Sequence, residues 1–284
     1  MRARRSCLCS PARPAGKLEK AATLGVDEIV VDLEDSVPPG LKAEARTAVG
    51  EALVDQEWAA ATVSVRVNGV ATPWFEDDMR AITGCVRLDS VIVPKVESVA
   101  DLEACERLLE AAGTDVSRRA PIGLQALIES AAGLQAAGEI SAGSPRLESL
   151  ILGPADMSVS LGFPSLTEGP RWDFVRGGVL VAARAAGLQA IDGPFLQISD
   201  LEGLVASAER AREFGFDGKW ALHPAQVEPI NEAFSARSDE VSRAEAILDA
   251  LNAATDGGAV MLDGEMIDEA SRKRAMQILA RAKP

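Results

Sequence analysis

The chain has 284 residues, 47% apolar and 25% charged, an ordinary globular composition with enough length to bury a substantial core. A formal net charge of −14 argues against nucleic acid or an acidic membrane as partner, since both are polyanions. One histidine and no tyrosine exclude a multi-histidine zinc site, and four cysteines without paired metal-ligand spacing suit a reducing cytoplasm.

The first residues are basic: Arg2, Arg4, Arg5, Arg13, Lys17 and Lys20 face only Glu19 in sequence. They read either as a mobile basic start or as a local cluster for a small anion. No apolar signal-peptide core follows them, and no stretch has the length to span a bilayer. Residues 6–9 form the first of eight short apolar runs, the others being 29–31, 63–65, 91–93, 124–128, 150–152, 188–191 and 219–222. Such runs, bounded by turn residues, read as strands buried on both faces. The segments between them carry helical signals: a Ser98 capping box with a stop at Gly113, a helix over 177–186 stopped by Gly187, and a capping box at Ser199 opening a helix that stops near Gly215. Eight strands alternating with helices predict an α/β (β/α)8 TIM barrel over residues 1–229.

Beyond Pro229 the pattern changes. Residues 239–254 form an amphipathic helix, Asp256-Gly257-Gly258 a break, 260–262 and 266–268 two short runs about the turn pair Asp263-Gly264, and the end a basic helix. Residues 230–284 are therefore expected as a helical lid extension packing on the barrel or on a neighbouring subunit.

Charged residues close most of the runs. Asp32-Leu33-Glu34-Asp35, Arg66 with Asn68, Pro94-Lys95, Glu129, Gly153-Pro154-Ala155-Asp156 and Asp192 all stand at carboxyl ends of strands, where a barrel builds its active site. A single polar site is the expectation. Glu129 and Asp156 on consecutive strands suit Mg2+, which takes one or two carboxylates and leaves positions for water and substrate oxygens; the alternative is that either caps a helix. Arg66 either grips a substrate carboxylate or pairs with Asp32 or Glu34. Asp32 and Glu34 read as supports, Lys95 as a Schiff-base lysine or an ion-pair partner, and His223 as a structural hydrogen-bonder. No Gly-x-Ser-x-Gly, Gly-x-Gly-x-x-Gly or phosphate-loop motif is present.

Arg5-Ser6, Asp32-Leu33-Glu34-Asp35-Ser36-Val37 with Lys42 and Arg46, Val65-Arg66-Val67-Asn68, Val93-Pro94-Lys95-Val96-Glu97, Leu127-Ile128-Glu129-Ser130, Gly153-Pro154-Ala155-Asp156, Leu222-His223-Pro224-Ala225-Gln226 and Gly264-Glu265-Met266-Ile267-Asp268 together resemble the HpcH/HpaI aldolase/citrate lyase superfamily. Within it the chain looks like the citrate lyase β-subunit-like branch, which includes malyl-CoA and citramalyl-CoA lyases. The resemblance implies Mg2+ on Glu129 and Asp156 and substrate near Arg66, Pro154 and Ala155. It further implies CoA phosphates near Arg5, Lys17 and Lys42, and Asp268 as acid/base reaching an adjacent subunit of a homo-oligomer, typically a trimer. The implied activity is cleavage of a 3-hydroxyacyl-CoA to an acyl-CoA and a short 2-oxo acid. A citrate lyase β subunit acting on an acyl-carrier-protein thioester and a non-catalytic metabolite-binding barrel are the alternatives.

Overall fold

The computed structural model describes residues 2–113, 120–166, 169–253 and 258–282, which divide into two compact units, residues 1–233 and 234–284. In the first unit the elements run β1 (Ser6–Pro11), α1 (Ala15–Ala22), β2 (Glu28–Asp32), α2 (Lys42–Asp55), β3 (Thr62–Arg66), α3 (Phe75–Ile82), β4 (Ser90–Val93) and α4 (Val99–Ala111). They continue with β5 (Gly123–Ile128), α5 (Ala131–Gln135), α6 (Ala137–Ser141), β6 (Leu147–Leu152), α7 (Pro154–Ser160), α8 (Arg171–Ala185), β7 (Gln189–Asp192), α9 (Leu201–Phe214), β8 (Gly218–Ala221) and α10 (Val227–Phe234). The eight strands pair in sequence order, all parallel, and β8 closes on β1, so the expected barrel is present. Apolar strands buried on both faces, with helices as crossovers, leave this closed arrangement as the one that satisfies every edge.

Two helix boundaries differ from expectation. Helix α8 begins at Arg171, six residues before the anticipated Gly177. Helix α9 is capped by Asp200 rather than Ser199, because the Asp200 carboxylate accepts from Gly203 N–H at 2.9 Å. The Ser98 capping box and the left-handed stop at Gly215 are as read from sequence.

Alternation along the strands sorts side chains between barrel interior and helix layer. The mid-barrel is a buried cluster that includes Val30, Ile92, Leu127, Ile151, Ile191 and Trp220. Below it the floor is polar. Arg4, 2% exposed, donates from Nε to Glu28 at 2.6 Å and from Nη1 to Gln189 at 2.7 Å; Gln125 donates to Glu28 at 2.5 Å and to Ser90 at 2.8 Å, and Ser149 donates to Gln125 at 2.8 Å. Arg4, read from sequence as part of a mobile basic start or of a cluster for a small anion, is instead a buried plug whose side-chain partners come from β2, β6 and β7.

The second unit contains α11 (Ser238–Ala253), a two-stranded antiparallel hairpin of β9 (Val260–Leu262) and β10 (Glu265–Ile267), and α12 (Glu269–Ala282). Asp263 (φ 52°) and Gly264 (φ 83°) form the hairpin turn, where two left-handed residues match the strand twist. Ala254 and the Asp256-Gly257 part of the expected break lie outside the described residues. No described helix is long and apolar enough to cross a membrane.

Candidate active site

The carboxyl ends of β2 to β6 converge on a charged mouth. Strand β2 delivers Asp32 at its last position and β3 delivers Arg66, in register with each other. The Arg66 guanidinium donates from Nε and Nη2 to the two Asp32 oxygens, both at 2.7 Å, and its Nη1 lies 3.0 Å from Glu34. Its face lies over the Trp220 ring, 5.5 Å from the centroid. Burial alone would raise the Asp32 pKa, but the paired Arg66 bonds and charge hold it below the usual carboxylate range. Glu34 moves the other way: burial raises it despite Arg66 and Lys95. Arg66 thus fulfils the ion-pair reading, and the pair fixes its planar fork at the mouth.

The loop after β2 is tied down. Asp32 accepts from the N–H groups of Glu34 (2.9 Å) and Ser36 (3.1 Å), and the Lys42 ammonium donates to the carbonyls of Leu33 (2.8 Å) and Glu34 (2.7 Å). Lys42 is 5% exposed and also stacks over Trp74, so in this fold it braces the loop rather than meeting a phosphate. Arg5 departs further from expectation. It precedes β1 and pairs with Asp27, which precedes β2, through Nε (2.9 Å) and Nη2 (2.8 Å). That pair sits at the amino-terminal ends of the strands, opposite the mouth, so Arg5 is not a candidate for a ligand held there. Lys17 is exposed in the first turn of α1, which follows the carboxyl end of β1.

Lys95 follows β4 with φ 54°, a left-handed conformation costly for a side chain with a Cβ. The twist lets its N–H donate to Glu129 at 2.8 Å while its ammonium reaches Glu34 at 2.5 Å. The ion-pair reading therefore holds for Lys95, and backbone strain is located where carboxylates must be aimed. Glu129 itself is 5% exposed. Burial first, then the charges of Glu34 and Asp156, push it up to about 8. A side chain on Gly153 would place its Cβ 2.5 Å from the Glu129 Cβ and 2.7 Å from Oε2, so only glycine admits Glu129 against the end of β6. Pro154, Ala155 and Asp156 then form the first turn of α7, with Asp156 half-buried.

These residues fit a hard divalent cation. A buried carboxylate such as Glu129, its proton affinity raised by burial and by the neighbouring carboxylate charges of Glu34 and Asp156, is what a cation relieves, and Mg2+ needs no third protein carboxylate. Among the described residues no cluster of three or more His, Cys, Asp or Glu is arranged as a metal cage. Glu129 and Asp156 would hold the ion, with Arg66 and Lys95 as the nearby fixed cations.

Two residues from the sequence pattern fall elsewhere. Asp192 lies on the outward face of β7, next to inward-facing Ile191, and pairs with Lys219 and Arg176 between the sheet and the helices. The rule that charges at strand ends share one site fails there, because the two-residue period sends alternate side chains to opposite faces. His223 is exposed and accepts from Ala225 N–H at 3.2 Å, a local cap as expected. Asp78 was not singled out from sequence. It is fully buried and receives Arg46 (2.9 Å), Asn68 N–H (3.0 Å) and the Asn68 amide (2.5 Å), bracing the segment after Arg66. Its place among Glu76, Asp77 and Asp78 in the acidic first turn of α3 disguised it as surface charge. Asp268 belongs to the second unit, is exposed, and caps α12 by accepting from Ala270 N–H at 2.9 Å and Ser271 N–H at 3.1 Å.

The model of the HpcH/HpaI aldolase/citrate lyase family matches residues 5–224. The chain is 37% identical to an L-malyl-CoA/beta-methylmalyl-CoA lyase of Cereibacter sphaeroides, over 99% of this chain and 95% of that protein. It is 31% identical to the citrate lyase subunit beta of Leuconostoc mesenteroides subsp. cremoris, over 98% and 93%. Among solved structures it resembles protein CitE from Mycobacterium tuberculosis in complex with magnesium, acetoacetate and coenzyme A, with a TM-score of 0.80, 29% identity, and 98% and 97% of the two chains covered. Barrel, charged mouth and sequence similarity along nearly the whole length converge: the chain belongs to the HpcH/HpaI aldolase/citrate lyase family.

Proposed function

We infer that the protein is a Mg2+-dependent carbon–carbon lyase. It reversibly cleaves a 3-hydroxyacyl-CoA, of the malyl-CoA or citramalyl-CoA kind, to an acyl-CoA and a short 2-oxo acid such as glyoxylate or pyruvate. The observation that carries this reading is the buried Glu129, which accepts from the Lys95 N–H and is pushed up to about 8 by burial and by the charges of Glu34, itself paired with Arg66, and Asp156. The lyase relative and the CitE complex with magnesium and coenzyme A support it.

Bound Mg2+ supplies Lewis-acid polarisation of the carboxylate and carbonyl oxygens of a 2-oxo acid. Glu129 and Asp156 hold the ion, and the backbone at Pro154 and Ala155 lines the acid. Arg66, held rigid by Asp32 and Glu34, offsets the negative charge that develops on the carbonyl oxygen as the new bond forms. In the condensing direction Asp268 removes the α-proton of the thioester; the freed electron pair attacks the oxo carbon as the carbonyl π pair moves to its oxygen, that alkoxide takes up a proton from solvent while Asp268 gives its own back to solvent, and cleavage runs the same steps in reverse. Lys17 contributes to binding the CoA phosphates. Asp268 comes from an adjacent copy in a homo-oligomer, a trimer, which gives the carboxy-terminal unit its role. The free cysteines support a cytoplasmic setting.

The test is incubation with Mg2+, a panel of acyl-CoAs, and glyoxylate or pyruvate, followed by mass identification of products. A 3-hydroxyacyl-CoA formed only with Mg2+ is the expected result. Release of free CoA without carbon–carbon bond formation would replace the lyase by a thioesterase, and no reaction with any pair would leave a binding barrel.

A further inference from the structure

The chain leaves β3 through Arg66-Val67-Asn68, and the pairing with β2 ends there in an unusual way. Leu33, one residue past β2, donates its N–H to the Arg66 carbonyl at 2.9 Å. In a regular parallel ladder the next bond would run from the Asn68 N–H to the Leu33 carbonyl. Instead the Asn68 N–H goes to Asp78 Oδ2 at 3.0 Å, and the Asn68 side-chain amide substitutes for it. That amide donates to the Leu33 carbonyl at 3.1 Å and to the same Asp78 oxygen at 2.5 Å. One side chain thereby closes the ladder directly beyond the Asp32–Arg66 pair and ties both strand ends to α3.

The residue types suit the task. An NH2 group has two protons, one for each acceptor, which neither a carboxylate nor an aliphatic side chain at position 68 could supply. Asp78 is fully buried and only accepts; its other oxygen takes Arg46 Nε at 2.9 Å, which balances its charge out of water. Helix α3 is held to the same loop at a second point. Trp74, at its amino-terminal cap, lies beneath the Lys42 ammonium that bonds the Leu33 and Glu34 carbonyls.

We propose that Asn68 and Asp78 are positioning residues for Arg66. They fix the backbone that carries its guanidinium, so that the fork stands ready for the charge developing on the oxo-acid oxygen, and their effect on the reaction passes through Arg66. The kinetic consequence rests on the lyase reading; the placement of Arg66 does not.

Trp220, three strands round the barrel from β3, reports where Arg66 sits, because the guanidinium lies over its ring. Its indole N–H resonance in 15N-labelled protein is assigned through W220F and its displacement calibrated with Arg66→Met. Asn68→Ala and the isosteric Asp78→Asn are both expected to move it toward the Arg66→Met position while the Trp172 resonance holds. In the lyase assay each variant should lose about tenfold or more in kcat per folded enzyme, with KM for the 2-oxo acid within about twofold of wild type. Asp77→Asn, an exposed neighbour on the same turn, should match wild type in both readouts. Asp78→Asn serves if Asn68→Ala misfolds. A Trp220 resonance unmoved in a folded variant overturns the proposal, as does a raised KM at unchanged kcat. A moved resonance in a protein whose wild type shows no turnover upholds the placement of Arg66 and removes the lyase reading instead.

Discussion

Asp32→Asn tests the clamp on Arg66. In the native protein two charge-assisted bonds of 2.7 Å join nearly buried partners, with side-chain exposures of 10% for Arg66 and 1% for Asp32. Asparagine keeps one acceptor but turns its NH2 group either toward Arg66 Nη2 and the Ser36 N–H or toward Arg66 Nε and the Glu34 N–H, a donor against donors. Breaking a buried pair by removing one charge costs about 3–5 kcal/mol. Glu34, 3.0 Å from Nη1, still compensates part of the Arg66 charge, so the low end, about 3 kcal/mol, is expected. For a chain of this size that corresponds to a fall in Tm of roughly 6–12 °C. The loosened guanidinium should also lower kcat/KM by about 100-fold, the usual effect of misplacing a positioned group by an ångström. Adding Arg66→Met removes the stranded charge, so the double variant should be more stable than the sum of the two single changes by about 1 kcal/mol or more. Thermal melts and steady-state kinetics on the four proteins complete the cycle. An Asp32→Asn variant that melts within about 2 °C of wild type and keeps its kcat/KM would refute the clamp.

Three further outcomes are expected. Glu129 sits above its ordinary value in the cation-free protein, so the folded state holds a proton that the unfolded chain releases; stability should fall as pH rises from about 5 to 8 in EDTA, and saturating MgCl2 should flatten that fall. Glu34 shifts in the same direction and adds to the slope, whereas the lowered Asp32 acts only in acid; a flat EDTA melting profile would contradict the assignment. At Lys95, alanine retains the strained φ of 54° and glycine relieves it, so Lys95→Gly should be more stable than Lys95→Ala by about 1 kcal/mol, and equal Tm values would dismiss the strain. Asp268→Asn should abolish turnover while Mg2+ and glyoxylate binding, followed by calorimetry, stay unchanged; co-expression with Arg66→Ala should restore activity if the aspartate serves a neighbouring copy, and no restoration argues for action within one chain.

The barrel was legible because its signal is local and repeated. Eight apolar runs with turn residues at each end can be read one at a time, and parallel strands buried on both faces leave few ways to close a sheet. The strand-end residues Asp32, Arg66, Lys95, Glu129 and Asp156 followed from the same repetition, since each is at or just beyond the last residue of its strand. What the chain alone could not decide depends on contacts between residues far apart in sequence. Arg4 pairs with Glu28 and Gln189, and Asp78 with Arg46 and Asn68; in each case a charge that looks solvated in sequence is buried because its partner arrives from another element. Whether Arg66 faces substrate or Asp32 depended on the β2–β3 register, and Arg5 and Asp192 left the mouth because the end of a strand and the face of a strand are properties of the closed sheet. Residue type and spacing determined which chemistry the chain can carry. Only the tertiary structure decided which charges meet, because an ion pair forms where two strands bring its partners within a few ångströms, whatever the distance between them along the chain.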